Sequence, residues 1–258
     1  MSAVMKSSTA AAPVLSASGL SKRFGAVVAA QDVSIDVAAG ERVSLIGGNG
    51  AGKTTFVNMV TGYLKPDAGR ITLGGQDVTA LGPREITRRG VARSFQIPQL
   101  CAEMTVLDSV LVAASCGEGA LSPWRPARTS ARKDAALALL DRFALGGHAR
   151  RRVSELPGGV RKLLDIAMAL TGHPRLLLLD EPTSGVSADE KLPMMDTIMA
   201  ALAGEPVAVL FVEHDMDVVD RYSDRVIAFW SGKVIADGSP AEALADEQVR
   251  RYVTGTAR

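Results

Sequence analysis

The chain has few cysteines, few aromatic residues and no long apolar run. Cys101 and Cys116 are its two cysteines, and they have neither CxxC spacing nor accompanying histidines. This pattern argues against a disulfide framework and against a zinc site, and it favours a reducing, cytosolic setting. The longest apolar runs, such as residues 207–212, are far too short to span a bilayer. Any association with a membrane is therefore expected to depend on a partner.

The charge of the chain has no marked sign. The 29 Lys and Arg residues nearly balance the 28 Asp and Glu residues, for a formal net charge of +1. A nucleic-acid-binding domain is usually clearly basic, so no nucleic-acid partner is expected. The 258 residues are 47% apolar, which argues against a disordered chain and allows a sizeable core. Residues 1–13, with Pro13 and several serines, are interpreted as a flexible tail.

Hydrophobic periodicity predicts an α/β protein. Short β-like pieces at residues 27–30, 33–37 and 42–46 precede a glycine-rich turn and a helix that begins near Lys53. The segment ITLGGQDVT predicts a hairpin, because a Gly-Gly pair separates residues that favour strands. From residue 176 onward, continuous apolar strands alternate with helices, which is typical of a parallel sheet covered on both faces. We expect strands at 176–180, 207–212 and 225–230, and helices at 189–202 and 216–223.

A helical block interrupts this α/β pattern. Residues 105–144 have helical spacing, broken by a turn-rich loop at residues 117–129. We interpret the block as part of an inserted helical subdomain at about residues 97–155. The predicted architecture is therefore a parallel-sheet core, an antiparallel β-subdomain and an inserted helical subdomain within residues 14–258.

The most specific motif is a phosphate-binding loop. GGNGAGKTT contains G-x-x-x-x-G-K-T, follows the apolar strand VSLIG and opens a helix. Its glycines let backbone N–H groups turn inward, and the helix N-terminus adds partial positive charge for phosphates. Lys53 is expected to reach the β- and γ-phosphates of ATP, and the Thr54 hydroxyl to bind Mg²⁺. The predicted nucleotide-binding residues of the loop are Gly47, Gly48, Asn49, Gly50, Ala51, Gly52, Lys53, Thr54 and Thr55.

An acidic pair follows the strand of four leucines. Asp180 and Glu181 end the run RLLLLDE, and ligands of open parallel sheets bind at the carboxyl ends of the strands. Asp180 is therefore expected to hold Mg²⁺ directly or through water. Glu181 is expected to polarise an attacking water. The phosphate-binding loop in the same chain favours this interpretation over a solvated acidic turn.

The order of motifs resembles that of the ATP-binding cassette ATPases of ABC transporters. GGNGAGKTT, SFQ, LPGGV, LLLLDEPTSG and VEHD follow one another, and the resemblance covers about residues 14–258. The chain is most similar to the ATPases of branched-chain amino-acid importers, on stretches such as KRFGAVVAAQDVS, SFQIPQLCAEMTVLDSVLVAA and VLFVEHDMDVV. The resemblance implies the P-loop NTPase fold and ATP hydrolysis coupled to transport.

The resemblance also assigns roles to single residues. Phe24 lies where the family places an aromatic ring that stacks on adenine. Gln96 matches the family's Q-loop, which touches Mg²⁺ or the water and senses the transmembrane partner. His214 matches the switch histidine that contacts the γ-phosphate. The implied catalytic residues are Gln96, Glu181 and His214, and the implied metal ligands are Thr54, Gln96 and Asp180.

The stretch LPGGV lies where the family carries its signature LSGGQ, which closes over ATP held by the other subunit. Gly158 and Gly159 match, and their N–H groups and helix dipole are expected to point at the γ-phosphate. Pro157 replaces the serine and supplies neither a hydroxyl nor an N–H. Losing one hydrogen bond to a charged group costs about 1.5–3 kcal/mol. We therefore expect a weaker clamp; the alternative is a subgroup in which backbone contacts suffice.

These features predict the ATP-hydrolysing subunit of an ABC importer for branched-chain amino acids or a similar small polar solute, with ATP and Mg²⁺ as cofactors. The expected partners are a second ABC ATPase subunit, transmembrane permeases and, indirectly, a periplasmic solute-binding protein. An altered signature beside intact catalytic residues favours a heterodimer, with a homodimer as the alternative. The expected location is the cytoplasmic face of the inner (plasma) membrane, through the permeases.

Other functions stay open at this point. One is a weakly hydrolysing nucleotide-binding regulatory subunit, against which the intact Lys53, Asp180, Glu181 and His214 argue. Another is the ATPase of a different ABC transporter class, such as a urea or lipid system. A soluble ABC protein of repair or translation usually carries tandem cassettes or long coiled-coil insertions, and this sequence shows neither.

Overall fold

The computed structural model describes residues 13–117 and 129–255, whose strands form one antiparallel and one mainly parallel sheet. The strands are β1 (Leu15–Phe24), β2 (Val27–Val37), β3 (Arg42–Gly47), β4 (Ala68–Leu73), β5 (Gln76–Asp77), β6 (Val91–Ser94), β7 (Leu176–Asp180), β8 (Ala208–Val212), β9 (Arg225–Trp230) and β10 (Lys233–Gly238). The α-helices are α1 (Lys53–Val60), α2 (Pro83–Arg88), α3 (Val106–Gly117), α4 (Ser130–Arg142), α5 (Gly158–Leu170), α6 (Ala188–Leu202), α7 (Met216–Tyr222), α8 (Pro240–Ala245) and α9 (Glu247–Tyr252).

The antiparallel sheet has the strand order β2-β1-β4-β5. In the second half of β2, buried apolar residues alternate with exposed polar ones, which sets the face that packs inward. β4 and β5 form the hairpin predicted from ITLGGQDVT, with Leu73 opposite Gln76. Its turn contains Gly74 at φ 53° and Gly75 at φ 80°. Such positive angles at both central positions are those of a tight two-residue hairpin turn.

The second sheet has the strand order β10-β9-β3-β8-β7-β6. Its neighbours are parallel from β9 to β6, and β10 pairs antiparallel with β9 at the edge. Leu177 and Leu179 of β7 pack into a core that includes residues of α3 to α7. Leu176 and Leu178 pack into a second core with α1 and the antiparallel sheet. The predicted parallel sheet covered on both faces is therefore confirmed, and so is the α/β architecture.

The prediction for the antiparallel sheet is wrong in two places. Residues 27–30 and 33–37 belong to one strand, β2, and β1 is not predicted by the sequence pattern at all. Asp32 has φ 53°, and the β1–β2 register shifts between Leu20 and Lys22. Such an irregularity breaks the apolar alternation without ending the strand. β1 carries five polar residues and a glycine among its ten, so its alternation is weak.

The helical block contains α3 and α4, as predicted. The Thr129 hydroxyl accepts a hydrogen bond from the Arg132 N–H and so caps α4. The loop predicted at residues 117–129 lies, apart from its two ends, outside the described residues, and so does the predicted tail except for Pro13. The division into a tail, an ATPase domain and a helical subdomain at about residues 97–155 stays a prediction.

The predicted elements after residue 176 agree with β7, α6, β8, α7 and β9 to within one residue at each end. The sequence pattern does not predict the short elements α2, β6, β10, α8 and α9, each of six residues or fewer. Across the two described ranges, no helix combines the length and the hydrophobicity that crossing a membrane needs.

Candidate functional site

The carboxyl ends of three strands lie side by side at one edge of the parallel sheet. β3 pairs with β8, and β8 pairs with β7, in parallel. Asp180 at the end of β7 is level with Val212 of β8, and Val212 is level with Leu45 of β3. The loops that follow these strands therefore start close together, at the edge where open parallel sheets bind their ligands.

Two glycines of the phosphate-binding loop, residues 47–54, have no room for a side chain. A β-carbon on Gly47 would lie 2.5 Å from the Phe229 carbonyl oxygen, and one on Gly52 would lie 2.7 Å from the Ala29 carbonyl oxygen. Both glycines also have positive φ angles, 149° and 113°. Gly48, in contrast, faces open space. The loop is therefore pressed against β2 and β9 while its outer side is left free for a ligand.

The rest of the loop divides into exposed and buried residues. Asn49, Gly50 and Thr54 are exposed, Gly48 and Thr55 are half-buried, and Gly47, Ala51, Gly52 and Lys53 are buried. Helix α1 has no side-chain cap at its N-terminus. Its first N–H groups are therefore available to an anion, as the predicted nucleotide site requires.

The Lys53 ammonium group is held inside the loop. Lys53 is 5% exposed, and its Nζ donates to the carbonyl oxygens of Gly47 at 2.5 Å and Gly48 at 3.1 Å. Burial lowers the pKa of Lys53, and the negative charges of Glu181 and Asp180 act in the opposite direction. The lysine therefore lies within the electrostatic range of both predicted carboxylates. Its two carbonyl partners are weak substitutes for a phosphate, to which it can turn.

Asp180 forms a nearly buried ion pair with Arg93. Arg93 Nη2 lies 2.6 Å from Asp180 Oδ2, and the two side chains are 10% and 15% exposed. Arg93 Nη1 also donates to Asn58 Oδ1 at 2.7 Å, so the guanidinium group joins α1, β6 and β7. The Arg93 guanidinium lies 4.9 Å from the Phe95 ring centroid and 6.0 Å from the Tyr63 ring centroid. This arrangement fixes the orientation of the Asp180 carboxylate.

Glu181 is held by two of the predicted catalytic side chains. Gln96 Nε2 donates to Glu181 Oε2 at 2.5 Å, and His214 Nε2 lies 3.1 Å from Glu181 Oε1. Glu181 also has φ 48°, an uncommon backbone angle for a residue other than glycine. Its N–H donates to the Val212 carbonyl oxygen at 3.0 Å, which fixes this turn against β8. The structure therefore brings Gln96, Glu181 and His214 together, and their catalytic roles stay a prediction.

A buried lysine ties α5 to the same cluster. Lys162 is 3% exposed, and its Nζ donates to the carbonyl oxygens of Phe95 at 3.0 Å and Gln96 at 2.8 Å. A longer contact of 3.4 Å reaches the Asp180 carbonyl oxygen. Burial lowers the pKa of Lys162, and the negative charge of Asp165 is the largest of those that act in the opposite direction. Three backbone acceptors satisfy the donors of this cation.

A model of one protein family matches most of this architecture: the family described as ABC transporter matches residues 30–184. The chain belongs to the ABC transporter family. Among curated relatives, the ABC ATPase is 37% identical to a high-affinity branched-chain amino acid transport ATP-binding protein LivG from Salmonella typhimurium, over 95% of this chain and 99% of the relative. It is 34% identical to the corresponding protein BraF from Pseudomonas aeruginosa, over the same shares of the two chains.

Solved structures agree with this assignment. An ATP-binding cassette of an ABC transporter in its ADP conformation matches with a TM-score of 0.81 and 31% identity, over 93% of this chain and 97% of that one. A nucleotide-free ATP-binding cassette from an ABC transporter matches with a TM-score of 0.80 and 32% identity, over 92% and 97%. The ABC ATPase therefore has the P-loop NTPase fold of nucleotide-binding cassettes.

Three predicted site residues lie apart from the carboxylate cluster of the ABC ATPase. Phe24 ends β1 and is 52% exposed, with Lys22 Nζ 5.9 Å from its ring centroid. Gly158 and Gly159 begin α5 and face open space. Within the described residues, no hydrogen bond joins these two glycines to the phosphate-binding loop. Their assignment to ATP held by another subunit stays a prediction.

Sequence reasoning misses Arg93 and Lys162. Arg93 lies on β6, a strand of four residues that the pattern does not predict. Lys162 occupies a buried position of α5, between the apolar residues that make up the helix's inner face. A charged residue on the apolar face of a predicted helix is the signal that could have identified Lys162, since such residues are rarely buried without partners.

Replacing Lys53 by Ala is expected to weaken ATP binding about 10-fold to 100-fold, because a hydrogen bond to a charged group contributes about 1.5–3 kcal/mol. The measurement is the dissociation constant of a fluorescent ATP analogue, with thermal unfolding to verify the fold. Lys133→Ala, an exposed lysine on α4, is the control and should bind like the wild type. Equal affinity in Lys53→Ala and the wild type would contradict the site.

Replacing Arg93 by Met is expected to lower the free energy of unfolding by about 3–5 kcal/mol, because it leaves the Asp180 charge buried and unpaired. The double variant with Asp180→Asn should recover part of this loss. Denaturant unfolding measures both. Arg70→Met is the matched control: Arg70 pairs with Asp77, but the side chains are 71% and 49% exposed. The control should change stability by about 1 kcal/mol or less, and an equal loss in both single variants would count against the buried pair.

Proposed function

We propose that this ABC ATPase is the ATP-hydrolysing subunit of an importer for branched-chain amino acids or a similar small polar solute. The observation that carries the proposal is the contact of Glu181 with both Gln96 and His214, at the strand ends that also hold Lys53 and Asp180. The relatives named for high-affinity branched-chain amino acid transport support the choice of solute.

The roles in hydrolysis follow from the geometry. A carboxylate has about four lone-pair sites, so Glu181 can accept a hydrogen bond from water while Gln96 and His214 hold it. Glu181 then acts as the general base that takes the proton of the attacking water. Lys53 exchanges its carbonyl partners for phosphate oxygens, and His214 contacts the γ-phosphate. Asn49 to Thr55 supply the loop and helix N–H groups that bind the remaining phosphate oxygens.

The residues present also suit Mg²⁺. Thr54 is exposed, and Asp180 Oδ2 is bound to Arg93 whereas Oδ1 has no hydrogen-bond partner among the described residues. The Gln96 side chain adds an amide oxygen, so the set consists of the oxygen donors that Mg²⁺ prefers. When bound, Mg²⁺ would neutralise the charge that develops on the phosphate oxygens. We propose Thr54, Asp180 and Gln96 as its ligands.

The proposed permease contact is a cavity beside Gln96. Its volume is about 390 Å³, and its wall includes Tyr63, Arg93, Phe95 and Asp165. Phe95 directly precedes Gln96, so a permease segment that displaced Phe95 in this cavity would also displace Gln96, through one peptide unit. The ABC ATPase would then be held at the cytoplasmic face of the membrane by the permeases, with a solute-binding protein acting through them.

The exposed N-terminus of α5 suits a contact with a second ATPase subunit. Gly158 is exposed and Gly159 half-buried, so their N–H groups are accessible to a nucleotide bound elsewhere. Pro157 is the N-cap of this helix and forms no side-chain cap. We propose a heterodimer in which this chain supplies the complete catalytic cluster to one site and its altered signature to the other. A homodimer is the alternative.

Replacing Glu181 by Gln is expected to slow hydrolysis by about 100-fold or more while ATP binding is retained, because the amide cannot take the proton of water. The variant should also accumulate an ATP-bound dimer that size-exclusion chromatography detects. Glu247→Gln, an exposed glutamate on α9, serves as the control for the loss of one negative charge. Wild-type turnover in Glu181→Gln would exclude the base role and, with it, this proposed function.

The two proposed sites can be told apart in the reconstituted complex. Glu181→Gln should remove most of the turnover, whereas the equivalent change in the partner ATPase should remove less. Pro157→Ser with Val160→Gln should raise turnover at the weaker site, since serine restores the hydroxyl and also favours the N-cap position by about 1 kcal/mol. Steady-state ATPase rates measure each change singly. Equal losses from the two glutamate variants and no gain from the restored signature would show equivalent sites.

A further inference from the structure

Glu213 is a buried carboxylate to which the proposed mechanism gives no role. It follows the last residue of β8 and is 3% exposed. No lysine, arginine or histidine side chain of the described residues lies within ion-pair distance of it. Glutamate is rarely buried to this extent without a cation, because removing its charge from water is costly. Its position therefore calls for an explanation.

Hydrogen bonds from two loops satisfy this carboxylate. Glu213 Oε1 accepts from the Thr183 N–H at 3.1 Å and from the Thr183 Oγ1 hydroxyl at 2.9 Å. Glu213 Oε2 accepts from the His214 N–H at 3.1 Å. The Glu213 N–H in turn donates to the Leu45 carbonyl oxygen of β3 at 3.3 Å. Hydrogen bonds to an ionised acceptor are stronger than neutral ones, so this bridge is firm.

The bridge joins the two loops that carry the predicted catalytic groups. Thr183 lies two residues after Glu181, and the Ser184 N–H donates to the Glu181 carbonyl oxygen at 3.1 Å. His214 directly follows Glu213 and contacts Glu181 at 3.1 Å. One carboxylate therefore ties both ends of the His214–Glu181 contact to the core of the sheet.

We propose that Glu213 is a positioning residue that holds Glu181 and His214 in the relative positions that hydrolysis requires. The inference rests on the proposed function, because it assumes the catalytic roles of those two side chains. If Glu213 served stability alone, an apolar residue would serve better, because it would continue the apolar strand β8 and avoid the cost of a buried charge. The loop after Thr183, residues 184–187, is anchored by the same bonds, so Glu213 also connects His214 to that exposed loop.

The variant Glu213→Gln keeps the shape of the side chain but removes one of its two acceptor oxygens. The amide cannot accept from both Thr183 and His214, so one loop loses its anchor. Thr183→Val removes one donor with little change in volume, and Thr183→Ser retains it. Neither residue touches the phosphate-binding loop through a hydrogen bond within the described part of the chain.

The experiment measures kcat, KM and ATP affinity of the whole ABC ATPase. Glu213→Gln is expected to lower kcat about 10-fold or more, since it removes a hydrogen bond to a charged group, while ATP affinity stays within about 2-fold. Thr183→Val should lower kcat in the same way, and Thr183→Ser should restore it. The double variant should be no worse than the more severe single variant, because both changes break one bridge. Glu247→Gln, the exposed glutamate on α9, is the control for charge.

The outcomes separate this inference from the proposed function. Loss of turnover in Glu181→Gln together with wild-type kcat in both Glu213→Gln and Thr183→Val would overturn the positioning role and leave the proposed function intact. A matching loss of ATP affinity and kcat would also overturn it, since that pattern indicates general damage to the fold. Wild-type turnover in Glu181→Gln would remove the basis of both. If Glu213→Gln does not fold, Thr183→Val against Thr183→Ser decides between the two roles.

Discussion

The site depends on the parallel register of β3, β8 and β7. Leu45, Val212 and Asp180 lie level across these strands, so the phosphate-binding loop and the loops that carry Glu181 and His214 start at the same height. A shift by one residue would move a loop by about 3.3 Å and turn each side chain to the other face. The 3.1 Å contact between Glu181 and His214 would not survive such a shift. Alternate residues of β7 and β8 pack into two different cores, one on each face of the sheet, and this packing fixes the register.

The same edge of the sheet concentrates buried charge. Lys53, Arg93 and Lys162 carry positive charge there, and Asp180 and Glu213 carry negative charge, with little access to water. Two of the cations are satisfied by backbone carbonyl groups and the third by Asp180. The buried Arg93 Nε has no hydrogen-bond partner among the described residues, and Lys53 keeps partners that it can exchange. The protein thus holds donors for a highly charged ligand in a preorganised state, which limits the reorganisation that binding requires.

Sequence reasoning succeeds where one signal dominates. The apolar strands β7, β8 and β9 are predicted because buried parallel strands are continuous apolar runs. It fails for β1, whose serines and glycine hide the alternation, and it splits β2 at Asp32, where the backbone turns to positive φ. Tertiary pairing, which the local pattern does not contain, holds these strands in place.

The residues of the candidate site also fall into those that the sequence identifies and those that it does not. The spacing of G-x-x-x-x-G-K-T identifies Lys53 and Thr54, and the family resemblance adds Gln96 and His214. Neither reveals Arg93 or Lys162, because the partners of both lie far away in the sequence, and neither assigns a role to Glu213, although it lies within VEHD. Arg93 meets Asp180 across 87 positions, and Lys162 meets Gln96 across 66. Residues predicted to touch the ligand have motif signals, whereas the partners that Arg93 and Lys162 hold in place are identified only from the fold.

Helix α5 connects the two roles that we propose for the chain. Its first turn carries Gly158 and Gly159, which have no hydrogen bond to the chain's own phosphate-binding loop among the described residues. Lys162, one turn further on and about 6 Å along the axis, binds the backbone of Gln96 and of Asp180. The Ser94 hydroxyl also donates to Asp165 of α5 at 2.6 Å. The glycines that we propose to meet a second subunit therefore begin the same helix that is bonded, through Lys162 and Asp165, to the backbone around Gln96.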